Sequence, residues 1–505
     1  MDINRSINKL VKYGIQNEIL FEEDKIYAIN QLLNLLQLED YTEEEIVEEL
    51  FLEDILKEIL DYSVEKKIIE EDTVTRRDLF DTKVMNIIMP RPSQVIKKFN
   101  EEYEKSSKNA TDYYFKFSRA TDYIRTYRVK KDLKWKTDTK YGALDITINL
   151  SKPEKDPKDI ALAKQMKKVS YPKCVLCKET EGFKGNLSAA SRDNHRIIPI
   201  TLNNEKWYFQ YSPYCYYNEH CIILNSQHIP MKIDKTTFIK LFDFVKMFPH
   251  YMIGSNAGLP VVGGSILTHE HYQGGRQTFP MDNAKVRYKT KIKDFEDIEF
   301  EILNWPLSAI RIRGEKSGRL IELADFILKK WREYSDEDVN IIAFSDGEPH
   351  NTVTPIARKK NDLYELDLVL RNNLTTEEYP LGIFHPHPEL HHIKKENIGL
   401  IEVMGLAILP ARLKEEMSIL ADYIVNKKDV SQNEKIEKHA LWSKEIVKKY
   451  SNINKENIDE ILRKEIGLVF EKVLEDAGVF KTDEKGIEAF KKFVKTLGEA
   501  WIKNN

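Results

Sequence analysis

The stretch from Gly254 to Gly275 constrains this chain more than any other. Six of the twenty glycines fall in those 22 residues, and they bracket the run Thr268-His269-Glu270-His271-Tyr272-Gln273. Read as a strand, the run puts residues two apart on one face, so His269, His271 and Gln273 line a single surface. Tandem glycines before it (Gly263, Gly264) and after it (Gly274, Gly275) let the backbone approach a ligand closely. Their N–H groups, with Arg276, suit a phosphate. An imidazole is a nucleophile at neutral pH and can carry a phosphoryl group. A glutamine orients phosphoryl oxygens but has no acid proton to give. Such a row favours a leaving group that needs no protonation, and a sugar phosphate is one. The bland alternative is a structural His pair, and the glycine frame argues against it.

Other chemistry-bearing residues gather around this run. Histidine is absent before His195, eleven of the twelve lie between His195 and His392, and all four cysteines lie between Cys174 and Cys221. The first 140 residues hold one glycine and two prolines. Apolar residues recur there at helical spacing over 25–36, 46–60 and 79–88, with Thr42 and Glu45 reading as a capping box for the second. After Pro410 the chain has no proline, is rich in Lys, Glu, Ile and Leu, and again reads as helical. The middle is strand-like: a half-buried alternation over 141–150, a short buried strand over 220–224, and 260–267 leading into another. Residues 151–158 form a polar, Pro-containing loop. These patterns predict an α+β chain of four regions: a helical 1–140, a catalytic half over 141–300, a second α+β half over 301–410, and a helical 411–505.

Charge and composition narrow the class. Lys+Arg is 78 against 82 Asp+Glu, a net charge of −4, so there is no bulk attraction to nucleic acid or to an anionic membrane. No run of 18 apolar residues predicts a membrane span, and the start lacks a secretory signal. Four cysteines in 505 residues make no disulfide scaffold. The expectation is a cytoplasmic enzyme.

Cys174-Val175-Leu176-Cys177 is a C-x-x-C, a common half of a tetrahedral zinc site. Two completions are open. Cys215 and Cys221 could form an all-cysteine site, although Cys221 sits in an apolar run where a small buried thiol is the bland reading. Alternatively His228, at a polar strand exit, joins one His of the His-x-His.

The run His269–Gln273 resembles the H-x-H-x-Q signature of histidine-triad nucleotidyltransferases. Asn256, Gly258, Ser265, His269 and His271 through Arg276-Gln277-Thr278-Phe279-Pro280-Met281 look like the class II galactose-1-phosphate uridylyltransferases. So do Ser212–Cys221 and His391–Ala407, and the resemblance covers essentially the whole chain. It implies a histidine-triad-like mixed or antiparallel half-barrel sheet between helical ends. It also implies a reversible ping-pong exchange in cytoplasmic galactose metabolism. UDP-glucose gives its uridylyl group to a histidine, glucose 1-phosphate leaves, and galactose 1-phosphate takes the group as UDP-galactose. By the family pattern His271 is the nucleophile and Gln273 holds phosphoryl oxygens. Asn256 and Ser265 fall at phosphate contacts, and Cys174, Cys177, His228 and His269 bind structural zinc. Class I relatives are dimers, so a homodimer is implied here. One departure is visible: Gln277 stands where the class commonly has His.

A second cluster, His385-Pro386-His387 and His391-His392, reads as a pocket-lining loop with Lys394, Lys395 and Glu402 nearby, with a second metal site and a solvated His-rich loop as the alternatives. Cations there suit a phosphate and a carboxylate suits sugar hydroxyls, and Glu402 aligns with a sugar-contacting Glu of class I. Substrate binding is therefore expected of Asn256, Ser265, Arg276, Lys394 and Glu402. Two other functions compete. A nucleotide-sugar or dinucleotide hydrolase of the same superfamily is disfavoured by Gln273 in place of a third His. A non-catalytic zinc-stabilised binding protein is disfavoured by the intact His271.

Overall fold

The computed structural model describes residues 2–151, 159, 162, 170–264 and 266–500. Ser265 and all but the first residue of the loop read over 151–158 lie outside them. The chain divides into two compact units, residues 1–131 with 151–229, and residues 132–150 with 230–505.

The first unit is mainly helical. Its helices run Ile3–Gln16, Lys25–Leu36, Leu52–Glu65, Val74–Ile87, Pro92–Lys105 and Ser107–Ala120. Several starts are set by side chains that satisfy orphan N–H groups: Asp2 accepts from Asn4, Thr73 from Arg76 and Ser106 from Asn109. Antiparallel strands Ile198–Leu202, Glu205–Tyr211 and Cys221–Asn225 complete the unit. An aromatic cluster of Phe99, Tyr114, Phe209 and Tyr211 packs helices on these strands. The expected capping box is not one. Residues 42–51 are not helical, and the next helix begins at Leu52. The acidic side chains there go instead to cations on other helices: Glu44 and Glu48 to Arg5, and Glu43 to Lys25.

The second unit carries the larger sheet. Strands Val286–Ile292, Glu299–Leu303, Ala309–Gly314, Leu363–Asn372, Asn351–Lys360, Met252–Gly254 and His271–Gly275 follow one another in that spatial order, all antiparallel. Ile310, Ile312, Leu366 and Leu368 are fully buried, and helices Lys235–Met247 and Ser317–Arg332 pack on this sheet. A three-stranded sheet joins Leu133–Thr139 antiparallel to Gly142–Ile148, and Gly142–Ile148 parallel to Leu406–Leu409. Helices Arg412–Val425, Ala440–Lys449, Ile458–Ala477 and Glu484–Thr496 end the chain. The class is α+β, with helical segments at both ends and no closed barrel among the described residues.

Candidate active site

The strand expected to begin at His269 begins at His271, because residues 267–269 turn; the His269 amide reaches the Ile266 carbonyl at 3.4 Å. Residues 260–263 and 267 are likewise turn and bend, where a strand was expected. His271 and Gln273 therefore share a strand face, and His269 sits buried on the bend before them. The bend has a chemical consequence. His271 Nδ1 lies 2.8 Å from the His269 carbonyl oxygen. A carbonyl only accepts, so Nδ1 carries the hydrogen and Nε2 keeps its lone pair. Burial lowers the His271 pKa against the opposing pull of that hydrogen bond, which leaves the ring neutral at neutral pH.

Glu270 and Tyr272 alternate onto the other face. Lys240, from the Lys235–Met247 helix, places Nζ 3.0 Å from Glu270 Oε1, and the Tyr272 hydroxyl donates to the same oxygen at 2.8 Å. All three residues are buried. An ion pair thus ties the helix to the residue just before His271.

Gly254 pairs with Gln273. That strand ends at Gly254, two residues before Asn256. Asn256 is buried, and its Oδ1 accepts from the Leu400 amide at 2.8 Å. Gly264 packs on its amide so closely that a Cβ there would lie 2.3 Å from Asn256 Nδ2. This glycine therefore makes room for a side chain of the site. Glu402 accepts from the Gly399 amide at 3.2 Å and from Lys394 Nζ at 3.0 Å. Lys394 also reaches Glu396 at 3.5 Å and the Ile408 carbonyl at 3.2 Å. Asn256 and Glu402 thus take two successive backbone amides, and Lys394 is paired to Glu402. Lys394 is buried with its charge already offset, an arrangement the sequence did not signal. Arg276 follows the strand, half-buried.

The His-rich loop is internally engaged. His385 uses both nitrogens, on the Pro386 carbonyl and on Asn397, each at 3.1 Å. His387 donates to the Ile383 carbonyl at 3.1 Å and His391 to that of Pro386 at 2.8 Å. His392 Nδ1 lies 2.8 Å from His439 Nδ1, and His439 Nε2 lies 3.0 Å from Glu416. Sequence reasoning missed His439 and Glu416, because nothing around them marks either residue.

In the first unit, Cys174 and Cys177 sulfurs stand 3.6 Å apart, and Cys177 Sγ is 3.2 Å from His228 Nδ1. This Cys/His cluster could hold a metal ion. Burial, with Cys177 beside it, pushes the Cys174 thiol up to about 11, so two thiolates here need a cation. Soft sulfur and imidazole donors fit zinc. Cys215 and Cys221 form no such group among the described residues.

Residues 19–230 match the family model described as the galactose-1-phosphate uridyl transferase N-terminal domain, and residues 244–444 match its C-terminal domain. The galactose-1-phosphate uridylyltransferase of Clostridium acetobutylicum is 56% identical over 98% of this chain and 100% of its own length. That of Fusobacterium nucleatum is 52% identical over 99% of both. That of Bacillus subtilis is 46% identical over 100% of this chain and 99% of its own. Among solved structures, yeast Ap4A phosphorylase Apa2 aligns at 13% identity and a TM-score of 0.32, covering 61% of this chain and 90% of that one.

Proposed function

Because the chain belongs to the galactose-1-phosphate uridylyltransferase family, we propose that it transfers UMP reversibly from UDP-glucose to galactose 1-phosphate through a uridylyl-histidine. The one observation that carries the step is the His271 tautomer, Nδ1–H donated to the His269 carbonyl with Nε2 left as a lone pair. In the first half-reaction Nε2 attacks the α-phosphorus of UDP-glucose. The bond from that phosphorus to the bridging oxygen breaks, and its electron pair leaves with glucose 1-phosphate. The leaving phosphate takes no proton from the enzyme. The ring then carries an Nε2–P bond and an Nδ1–H, so it is cationic, and the His269 carbonyl stabilises that charge. In the second half-reaction a phosphate oxygen of galactose 1-phosphate attacks the same phosphorus, Nε2 leaves, and UDP-galactose forms.

Gln273, one position along the same strand face, holds the phosphoryl oxygens through its amide. Ser265 and Arg276 join it on phosphate, and Asn256 with Lys394 and Glu402 meets the sugar phosphate. Cys174, Cys177, His228 and His269 would hold zinc, and that ion would be structural, offsetting the charge of the two thiolates. The enzyme works in the cytoplasm as a homodimer. Among the described residues no helix is long and apolar enough to cross a membrane.

The test incubates the protein with UDP-glucose and galactose 1-phosphate and quantifies UDP-galactose, with intact-mass detection of the uridylylated chain before acceptor is added. Acceptor-dependent UDP-galactose and a uridylyl mass mapped to His271 are expected. UMP released without acceptor, and no adduct, would point to the hydrolase instead.

A further inference from the structure

A short hairpin in the second unit carries side chains that the uridylyl transfer leaves unused. Strands Phe344–Ser345 and Glu348–Pro349 pair antiparallel, with Ser345 opposite Glu348. Asp346-Gly347 makes the turn between them, with φ of 51° and 82°. A tight two-residue hairpin turn needs positive φ at both positions, and Asp-Gly is a sequence that takes it. The His350 amide donates to the Ala343 carbonyl at 2.9 Å, so the pairing runs one step past the strands. Ser345 and His350 are then diagonal neighbours on one face, and Ala343, across from His350, is small. The base of the hairpin is pinned to the sheet. Asn372 Nδ2 donates to the Ile342 carbonyl at 2.9 Å, and the Asn373 amide donates to the His350 carbonyl at 3.1 Å.

Three side chains form a line there. Ser345 Oγ lies 2.5 Å from His350 Nε2, and His350 Nδ1 lies 2.8 Å from Asn373 Oδ1. The direction of both hydrogens follows from the far end. Asn373 Nδ2 donates to the Pro260 carbonyl at 3.3 Å. A carbonyl only accepts, so this contact fixes which way the amide faces and leaves Oδ1 toward the ring. Nδ1 then carries the ring hydrogen, and Nε2 accepts from the serine hydroxyl. The line is nucleophile, base and orienting group in order. Ser345 and His350 are each half-buried, so a reactant reaches them from solvent. Among the described residues the turn amides of Asp346 and Gly347 make no hydrogen bond. The first of them directly follows the serine, the place from which a backbone N–H serves the oxyanion in serine hydrolases.

We propose that Ser345 is a second nucleophile of this chain, activated by His350, and that it takes acyl groups from small esters. The hydroxyl proton passes to His350 Nε2 as Oγ attacks the ester carbonyl. The bond from the carbonyl carbon to the alcohol oxygen breaks, and the alcohol leaves with that proton. Water then attacks the acyl-serine and gives a proton to Nε2, which returns it to Oγ as the carboxylic acid departs. Asn373 is a positioning residue: it holds the tautomer of the ring. Being neutral, it does not offset the imidazolium that forms, so turnover is slow and the acyl-serine is the species that accumulates. An open hairpin tip offers little enclosing surface, so the acyl group is short. The proposal is independent of the uridylyl transfer, whose nucleophile stands on another strand.

The test reacts the full chain with p-nitrophenyl acetate and, separately, with an alkyl fluorophosphonate, which loses fluoride to an activated serine. Peptide mapping locates the added mass. A burst of about one p-nitrophenol per chain is expected, with the acetyl or phosphonyl group on Ser345. Ser345→Ala should lose both and keep the far-UV spectrum of the wild type. His350→Gln should slow the labelling by ~10²-fold or more, the worth of a general base. Asn373→Asp should speed it several-fold, because a carboxylate offsets the imidazolium. A serine that merely locks the hairpin would label no faster than the serines of the urea-unfolded chain, and that rate in the wild type overturns the proposal. Equal labelling of wild type and His350→Gln overturns it too, as do adducts that spare Ser345. If His350→Gln does not fold, judged by its far-UV spectrum, Asn373→Asp decides, and a rate at or below that of the wild type removes the relay.

Discussion

Two histidine-rich regions of this molecule look alike in sequence and differ in what their rings do. On the strand, His271 uses one nitrogen on a backbone carbonyl, and among the described residues none bonds the other. In the 385–392 loop, His385 uses both nitrogens, His387 and His391 brace the loop's own carbonyls, and His392 leans on His439. The difference lies in the backbone. On the strand the ring meets one carbonyl of its own chain, that of His269. A loop interrupted by Pro386 and Pro388 curls back, and its carbonyls, left without ladder partners, recruit the nearest N–H. Density of histidine therefore does not identify a reactive one; His271 is set apart by its buried place on a strand face shared with Gln273.

The comparison breaks most sharply at His271, the proposed nucleophile. His271→Gln should reduce uridylyl transfer by at least ~10³-fold, since loss of a covalent nucleophile leaves only binding and electrostatics. His387→Gln and His391→Gln should stay within about tenfold. Steady-state exchange rates read all three, and equal losses in the three variants would erase the distinction. Metal content separates the regions next. The thiols are in the Cys174–Cys177 turn, so zinc should follow them at ~1 ion per chain. Cys177→Ser should lose the ion and lower the unfolding temperature, and His387→Gln should do neither. Zinc retained in Cys177→Ser, by elemental analysis after dialysis, would contradict the ligand set.

Much of this contrast was legible in the residues. The helix read over 25–36 has those limits in the structure, and 79–88 falls almost wholly within Val74–Ile87, because apolar periodicity there is local and unopposed. The reading over 46–60 ran about six residues early. Glu44 and Glu48 are drawn to Arg5, some forty residues away, and no local pattern reports such a pair. The H-x-H-x-Q run announced its chemistry but not its bend, since the Ile266–His269 turn depends on packing beyond the run. His439 was invisible for the same reason: its role is set by Glu416 and His392, both distant in sequence.

A smaller effect should sit behind the strand. Removing the Glu270 carboxylate alone leaves the Lys240 ammonium buried without its counter-charge, a loss of ~3–5 kcal/mol for pairs of this kind. Glu270→Leu should therefore destabilise markedly, and Lys240→Met with Glu270→Leu should recover most of the loss, because apolar side chains of similar volume replace both charges. Urea unfolding of the singles and the double gives the coupling. An additive double variant would mean that the pair does not act as a unit.

The smallest effect concerns the loop and is read against pH. Burial, then the neighbouring His439 and Arg412, lowers the His392 pKa to about 3. In the unfolded chain that group titrates near 6.5. Below pH 6.5 the unfolded chain therefore binds a proton that the folded loop refuses. The stability tied to His392 is present above pH 6.5 and is lost as pH falls toward 3, at up to ~1.4 kcal/mol per pH unit for one proton. His392→Asn removes the titrating ring, so its stability should fall less steeply than wild type between pH 6.5 and 4.5, by about one proton's worth of slope. Urea midpoints at half-unit intervals resolve this, provided the denaturant slope stays constant. Parallel curves for the two proteins would mean that His392 is protonated in the folded loop, and the contrast between an engaged loop and a poised strand would then have to rest on His385, His387 and His391 alone.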